Sequence, residues 1–351
     1  MAILNKRKKV FASLLLILLV LGCTLFTTVY FMFLKPINIK LESTTFYINR
    51  DDNIDSVYIH LQESLQKPIP YGFKLLSTYK KYPKQIHTGK YTITNQDTSY
   101  SLFLKLFRGN QTPTKLVINN VRTLDQLAQK VGDQLMIESF EIQHYFDDIQ
   151  FLDSLGYTKE TLPALFIPNT YEVYWNIEVE DFFKRMGKEH LRFWNEERTK
   201  LAQEIGLSAI EVATLASIVE EETNANDEKP MVAGLYMNRL KRGMPLQADP
   251  TIKFALQDFA IKRITNKDLE VDSPYNTYIH TGLPPGPIRF ASIQGLESVL
   301  NYSKHNYLYM CAKEDFSGKH NFATNLNDHM VNARKYWRAL NQRKIYKLGD
   351  N

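Results

Sequence analysis

Three consecutive glutamates, Glu220 to Glu222, close an otherwise apolar, small-residue run in the stretch LASIVEEETN. Adjacent carboxylates repel one another and resist burial, so they need either water or a special environment. A partly desolvated carboxyl group keeps its proton near neutral pH and can act as a general acid. The run is therefore either a solvated helix end or the acid of a catalytic site.

Residues 208–223 are predicted to form the helix that positions these carboxylates, since a serine followed by glutamate three residues later gives a capping-box pattern. On a helical wheel the three glutamates point in different directions. Glu221 falls on the predicted solvent side with two hydroxyl residues, and Glu222 is expected to be buried or at the helix end. Glu220 lies over small residues that leave open space beside it, which makes it the preferred candidate for the acid.

Two downstream segments carry polar groups that could face a ligand. The motif LQADPT follows a Gly- and Pro-containing chain break, and the Gly/Pro-dense loop 273–288 carries two tyrosines and an asparagine. Tight loops of this kind often position ligands, although a structural turn in which the asparagine satisfies the backbone is the alternative. The candidate ligand-facing residues here are Gln247, Asp249, Tyr275, Asn276 and Tyr278.

The segment LPALFIPNTYEVYW (162–175) is rich in aromatic side chains, which suit sugar rings and protein cores alike. Phe166 and Trp175 are expected to pack in the core, whereas Tyr171 and Tyr174 are expected to face a ligand. Among the histidines, His320 is a candidate hydrogen-bonding residue of the site. No HExxH motif or paired-cysteine spacing occurs, so neither a metal nor another cofactor is expected.

Residues 10–34 form an uninterrupted run without charge, which is long enough to cross a bilayer as a helix. The preceding KRKK predicts a cytoplasmic tail over residues 1–9 and places the chain from residue 35 on the outside of the cytoplasmic membrane. A cleaved signal peptide or a lipoprotein site at VLGC (20–23) is the alternative. Cys23 and Cys311 then lie in different compartments, so no disulfide is expected, and Cys311 is interpreted as an inert core residue.

The net charge of +5 resides at the two ends of the chain. Residues before 10 contribute +4 and residues after 330 contribute +5, so the body between them carries −4. A nucleic-acid-binding protein would carry its basic charge on the folded domain, and no nucleic-acid partner is expected.

The part of the chain beyond the apolar run is expected to be α+β in two domains. Residues 42–118 alternate strands, at 44–48, 89–93 and 115–119, with helices, as in a small module that is either a spacer or binds a polymer. A larger mixed α+β domain follows from residue 120, with its candidate glutamate on a helix.

Four segments, in this order and spacing, resemble the YceG-like endolytic murein transglycosylases: LASIVEEET, NRLKRGMPLQADPT, YNTYIHTGLPPGPI and GKHNFATNLNDH. The resemblance implies a LysM-like module over 35–119 and a YceG-like catalytic domain over 120–345. It also implies an enzyme that cleaves the β-1,4 bond between N-acetylmuramic acid and N-acetylglucosamine within peptidoglycan strands, without water, leaving 1,6-anhydro ends during wall synthesis and strand termination. Peptidoglycan glycan strands, the cytoplasmic membrane and peptidoglycan synthases are the implied partners.

The resemblance places the catalytic acid on Glu220, the first glutamate of the run, and places Gln247, Asp249, Asn276 and Tyr278 in the cleft. Two departures stand out. Asn169 replaces an acid of the FPDTY pattern, and RFAS (289–292) replaces an NPG-like continuation.

Three competing functions remain open from the sequence. The first is a muramidase-type hydrolase that uses Glu220 with Asp249 as the second carboxylate. The second is a non-catalytic scaffold that binds glycan through residues 42–118, and the third is a zinc peptidase.

Overall fold

The computed structural model describes residues 2–343, and the side chains from residue 7 onward. The fold is α+β, as predicted, and the chain packs as two compact units. The first unit holds the chain up to Lys115 together with Glu172–Ile177, and the second holds Leu116–Tyr171 and the chain from Glu178 onward. The predicted end of the second domain, residue 345, lies outside the described residues.

The first unit is built on a pair of strands with helices between and after them. In chain order its elements are helix α1 (Ala2–Val29), a π-helical turn (Tyr30–Leu34), strand β1 (Ser43–Ile48), helices α2 (Ile54–Leu65) and α3 (Tyr71–Tyr79), a 3₁₀ turn (Tyr82–Lys84), strand β2 (Gly89–Thr94) and helix α4 (Ser99–Phe107). The strands are antiparallel, with Phe46 opposite Tyr91. The predicted strands at 44–48 and 89–93 are confirmed, whereas α3 was not predicted.

The core of the first unit forms where the inward faces of the two strands meet the apolar faces of the helices. Alternate strand residues such as Phe46 and Ile48 are buried, as the two-residue period of a strand requires. Phe73 and Phe103 meet them from α3 and α4, with ring centroids 6.1 Å apart.

The second unit is mostly helical, and two residues of each of the strands 114–118 and 169–173 belong to the first unit. Its elements are strand β3 (Thr114–Ile118), helices α5 (Leu124–Gly132), α6 (Ser139–Phe146) and α7 (Ile149–Leu155), a 3₁₀ turn (Leu162–Leu165), strand β4 (Asn169–Val173), helices α8 (Val179–Phe193), α9 (Glu196–Ile205), α10 (Ala209–Glu222), α11 (Lys229–Lys241) and α12 (Asp249–Leu256), a 3₁₀ turn (Asp268–Glu270), helix α13 (Ile293–Leu300), strands β5 (Tyr309–Ala312) and β6 (His320–Ala323), and helix α14 (Leu326–Gln342). Strand β3 pairs with β4, and β5 pairs with β6 as an antiparallel hairpin.

Helix α10 is the central element of the second unit, and it starts at the predicted capping box of Ser208 and Glu211. The predicted solvent side of this helix is wrong, because Thr214 and Ser217 are buried. The Ser217 hydroxyl donates to the Thr214 carbonyl and accepts the Ile288 N–H at 3.0 Å. A helix whose residues are small or apolar on all faces is buried by its neighbours, and α11, α12 and α13 pack around α10 in this way.

The N-terminal apolar helix fits a single-pass membrane anchor. The most apolar 18-residue stretch within Arg7–Leu34 has a mean hydropathy of 2.6, and none of that stretch is buried against the rest of the described chain. A helix of this length and composition can cross a bilayer.

The aromatic segment 162–175, which contains β4, has both buried and exposed residues. Phe166 is buried, as expected. Tyr171 is only 4% exposed, and its hydroxyl donates to the Ile167 carbonyl. Its prediction as a ligand-facing residue is therefore wrong, because the β4 backbone turns this side chain inward. Asn169 is exposed, and its side-chain carbonyl accepts the N–H of its neighbour Thr170.

Candidate active site

A cavity of about 220 Å³ opens in the second unit where α10 ends. Parts of α10, α11, the 246–249 segment, the 273–288 loop and the β5–β6 hairpin surround it. Its lining residues are Glu222, Leu235, Tyr236, Arg239, Leu246, Gln247, Asp249, Tyr278, Met310, Cys311, Ala312 and His320. Four residues predicted from the sequence, Gln247, Asp249, Tyr278 and His320, are thus brought together in one cavity.

Glu222 is the carboxylate of the glutamate run that lines this cavity. It is the last residue of α10. The buried Tyr236 hydroxyl donates to it at 2.6 Å. Burial raises the pKa of Glu222 to about 7, and the negative charge of Asp249 adds to this rise, whereas Tyr236 and His320 oppose it. Such a carboxyl group holds a proton near neutral pH and can donate it.

Asp249 lies in the cavity as the second carboxylate. The Tyr278 hydroxyl donates to it at 2.6 Å, and burial together with this bond raises the pKa of Tyr278. Asp249 is the first residue of α12 but does not cap it through its side chain. Its oxygens are thus shared between Tyr278 and the cavity.

Gln247 is held in a left-handed backbone conformation, with φ of 51°. This region is unfavourable for a residue with a side chain and persists where surrounding contacts fix it. The Gln247 N–H donates to the Thr277 carbonyl at 3.0 Å, and the neighbouring Ala248 N–H donates to the Thr277 hydroxyl. The LQADPT segment and the 273–288 loop thus hold each other in place at the cavity wall.

Arg239, which was not predicted from the sequence, also lines the cavity. Its guanidinium donates to the Leu308 carbonyl at 2.7 Å, to the Leu246 carbonyl at 2.8 Å and to the Gln247 side chain at 3.2 Å. These bonds join α11 to two loops that line the cavity. A buried cation with several acceptors in fixed positions rigidifies the site.

His320 is oriented by a buried acid. Its Nδ1 lies 2.9 Å from Glu228 Oε2, and its backbone N–H donates to Glu228 Oε1 at 2.7 Å. A carboxylate accepts only, so Nδ1 carries the proton and the other ring nitrogen is left for the cavity. His320 stands opposite Ala312 in the β5–β6 hairpin, which delivers both residues to the lining.

Glu220 does not lie in the cavity, and the expectation of open space beside it is wrong. The residue is 8% exposed and faces the other way. Its carboxylate accepts the Ser292 N–H at 3.0 Å and the Ser292 hydroxyl, and it pairs with Lys229 at 3.3 Å. The small residues on that side of α10 admit the neighbouring loop and helix rather than a ligand, since a Cβ on Gly295 would lie 2.8 Å from Glu220 Cδ.

The segment 289–292 completes this network of charges. Arg289 lies 3.7 Å from Glu220 and 2.7 Å from Glu221, and Arg122 donates to both oxygens of Glu221. The departure of this segment from the family pattern therefore has a physical role here. It supplies a cation and a hydroxyl that hold two of the three glutamates behind the cavity.

Two further predicted residues lie elsewhere. Asn276 is fully buried and donates to the Leu269 and Val271 carbonyls while accepting the Tyr278 N–H, so its prediction as a substrate-binding residue is wrong. It organises the loop backbone, as the alternative interpretation held. Tyr275 packs on Phe254, with their ring centroids 4.6 Å apart, and lines a different cavity of about 280 Å³.

The cavity thus combines a carboxyl group that holds its proton, a second carboxylate and an oriented imidazole. Among the described residues, no group of three or more His, Cys, Asp or Glu side chains is arranged to hold a metal ion. The arrangement suits general acid–base chemistry on a polar ligand.

Residues 46–335 match the YceG-like family. The chain belongs to this family. A relative named endolytic murein transglycosylase from Bacillus subtilis (strain 168) is 30% identical over 244 residues, which cover 65% of this chain and 67% of the relative. A relative of the same name from Streptococcus pneumoniae serotype 2 is 28% identical over 298 residues, which cover 75% of this chain and 53% of that protein. The chain thus spans about half the length of the streptococcal relative.

A solved structure of a YceG-like protein from Listeria monocytogenes is also similar. Its sequence is 28% identical, its TM-score is 0.56, and the alignment covers 83% of this chain and 98% of that one. Family membership, recognised from four short motifs, is therefore confirmed by matches over most of the chain. The role of each site residue rests on the geometry of the cavity.

Proposed function

We propose that this protein is an endolytic murein transglycosylase with Glu222 as its general acid. The observation that supports this most directly is the position of Glu222 in a cavity shared with Asp249 and His320, where burial raises the pKa of Glu222 to about 7. The names of the curated relatives support the substrate, peptidoglycan. Glu222 takes the role that the sequence analysis gave to Glu220.

The reaction needs one group that gives and then takes a proton. Protonated Glu222 donates its proton to the glycosidic oxygen between N-acetylmuramic acid and N-acetylglucosamine, and the C1–O bond breaks through an oxocarbenium-like transition state. The Glu222 carboxylate then accepts the proton of the muramic 6-hydroxyl as O6 bonds to C1. The products are a 1,6-anhydro end and a free 4-hydroxyl, and no water is consumed.

The neighbouring residues support this cycle in distinct ways. Asp249 keeps the Glu222 proton in place through its charge and, with Tyr278, offers acceptors and donors to sugar hydroxyls. His320, oriented by Glu228, presents its second ring nitrogen to the sugar. Arg239 and Gln247 fix the wall against which the sugar ring lies.

The cellular location and partners of the protein are inferred from its family and from its N-terminal apolar helix. Residues 1–9 lie in the cytoplasm, and the chain from residue 35 lies outside the membrane, where nascent glycan strands are terminated. Residues 35–119 act as a LysM-like module, and peptidoglycan synthases are the proposed partners.

A muramidase is the second candidate, because Asp249 shares the cavity with Glu222. In that reaction one carboxyl group acts as the acid, and the other serves as nucleophile or activates water. The product then has a reducing muramic end.

The deciding experiment is digestion of purified peptidoglycan by the full chain in detergent, in water enriched in ¹⁸O, followed by mass spectrometry. Anhydro-muramic ends without ¹⁸O support the transglycosylase. Reducing ends that carry ¹⁸O overturn it in favour of the muramidase, and intact strands overturn both in favour of a binding scaffold.

A further inference from the structure

Helix α3 of the first unit presents an exposed aromatic and apolar stripe. Tyr71, Leu75 and Tyr79 recur at every fourth residue and therefore share one face of the helix. They are 69%, 43% and 76% exposed. The opposite face, with Gly72 and Phe73, is buried in the core of the unit. A contiguous stripe of large exposed apolar side chains is a candidate interaction surface.

The stripe lies next to the end of the membrane anchor. A Cβ on Gly72 would overlap the backbone carbonyl of Met32 and lie 3.1 Å from the Phe33 ring, so only glycine permits this approach. Both contacts belong to the last turn of the apolar span Arg7–Leu34. At 1.5 Å per residue this span measures about 40 Å, against about 30 Å of hydrocarbon and about 40–45 Å including the headgroups. Its last turn, and α3 beside it, therefore lie at the membrane surface.

The chain around α3 is strongly basic. Between Glu63 and Asp97 it carries six lysines and no acidic residue. Four of these lysines are exposed on α3 or just after it, and they are Lys74, Lys80, Lys81 and Lys84. Lys80 lies 5.4 Å from the centroid of the Tyr79 ring, so cation and aromatic side chain occupy the same surface.

The anchor carries the same combination where it leaves the membrane. Tyr30 and Phe31 are exposed on the last turns of the span, and Lys35 lies 5.0 Å from the Phe31 ring centroid. Tyrosine side chains favour the headgroup level of a bilayer, and clustered lysines near a membrane attract anionic lipids. The chemistry of the α3 surface thus continues that of the anchor.

We propose that α3 lies on an anionic bilayer surface, with Tyr71, Leu75 and Tyr79 at the headgroup level and the lysines on lipid phosphates. The contact holds the first unit against the membrane beside its own anchor, rather than leaving it on a free tether. This proposal does not depend on the activity of the second unit.

The test uses the full chain, with Cys23 and Cys311 replaced by alanine, in vesicles that contain phosphatidylglycerol and spin-labelled quencher lipids. A fluorophore is attached at Leu75→Cys, with Tyr79→Cys as a second reporter of the same stripe. The matched control is Asp51→Cys, an exposed position just beyond the C-terminal end of β1. The other end of β1 is the one nearer the anchor, where the Ile37 N–H donates to the Asp97 carbonyl. Lipid quenching is expected to be several-fold stronger at both stripe positions than at the control.

The charge contribution is tested in the same vesicles. Lys80→Gln with Lys81→Gln is compared with Lys184→Gln and Lys200→Gln, whose side chains are 70% and 75% exposed and pair with Asp181 and Glu204 on their own helices. Each lysine near an anionic bilayer changes the equilibrium between surface-bound and free α3 by about fivefold. Only the substitutions at Lys80 and Lys81 are therefore expected to reduce lipid quenching of the label. Replacing phosphatidylglycerol by phosphatidylcholine should have the same effect.

Two results would overturn the proposal. One is equal quenching at the stripe and control positions, and the other is quenching that is indifferent to lipid charge. Protection of the Leu75 label by soluble peptidoglycan fragments, without lipid quenching, would assign the surface to a wall polymer instead.

Discussion

Glu220 and Glu222 lie two residues apart on the same helix, yet they occupy opposite kinds of environment. Glu220 is enclosed by Lys229, Arg289 and the hydroxyl and N–H of Ser292, so its negative charge is matched on every side. Burial raises the pKa of Glu222 to about 7 and the charge of Asp249 adds to the rise, although the Tyr236 hydroxyl that donates to Glu222 opposes it. The two carboxylates therefore differ in their partners: cations beside a buried carboxylate stabilise its charge, whereas a second carboxylate opposes it.

The comparison also assigns separate tasks to the two carboxylates. Glu220 stabilises the fold behind the cavity by joining α10, the start of α11 and the 289–292 segment. Glu222 is the proposed general acid, and its ionisation in a buried setting destabilises the fold. The same substitution, Glu to Gln, should therefore act on activity at one position and on stability at the other.

The largest expected effect is the loss of activity in Glu222→Gln. The amide cannot donate the proton that the leaving oxygen needs, so the rate should fall by about 1000-fold. The measurement is the initial rate of strand cleavage, together with thermal unfolding to show that the variant is folded. Activity close to that of the unaltered protein would refute Glu222 as the acid.

Glu220→Gln should instead destabilise the protein. Removing one member of a buried charge cluster leaves Lys229 and Arg289 without their partner, at a cost of about 3 kcal/mol in the free energy of unfolding. Urea denaturation measures this loss. A second substitution, Lys229→Met, should recover part of it, since it removes one unpaired charge. A Glu220→Gln variant that is fully stable but inactive would reverse the two assignments.

The pH dependence should separate the two carboxylates further. Glu222 has an ordinary pKa of 4.5 and a native pKa of about 7, so the native state binds its proton more tightly than the unfolded state does. Its contribution to stability is present below pH 4.5 and is lost as the pH rises towards 7, by up to about 3 kcal/mol. Glu222→Gln should therefore gain stability relative to the unaltered protein over this range, and cleavage by the unaltered protein should decline above pH 7. Parallel stability curves for the two proteins would contradict this expectation.

Gly295→Ala should disturb the Glu220 side without touching the cavity. The added Cβ would lie 2.8 Å from Glu220 Cδ, so the free energy of unfolding should fall by about 2 kcal/mol, as is typical of overpacking. Gly187→Ala on α8 is the control, since a Cβ there meets nothing within 4 Å and should stabilise its helix slightly. Equal effects at both positions would mean that the residues around Glu220 can move to accommodate the added Cβ.

The smallest expected effect concerns the support of His320. Glu228→Gln retains the size of the side chain but weakens the hold on Nδ1, and activity should fall by about tenfold. His320→Ala should lower activity at least as far, and adding Glu228→Gln to it should cause little further loss. Independent, additive losses would show that Glu228 acts on something other than the histidine.

Local features were predictable because neighbours in the chain produce them. The capping box at Ser208, the strands at 44–48 and 89–93, and the anchor helix all follow from patterns within a few residues. The resemblance implied that Gln247, Asp249 and Tyr278 share a cleft, and in the structure these three residues line one cavity. The buried positions of Tyr171 and Asn276 were not predicted, because their partners depend on how β4 and the loop backbone turn.

The sequence by itself determined the family, the α+β class, the N-terminal apolar helix and the helix that carries the glutamates. Only the tertiary structure decided which glutamate faces the cavity. A helical wheel predicts which side chains share a face of α10, but it does not predict what packs against that face. Lys229, Arg289 and Ser292 contact Glu220 from positions 9 to 72 residues away in the chain. A carboxyl group takes its protonation state from such neighbours, and their arrangement is a property of the packed fold.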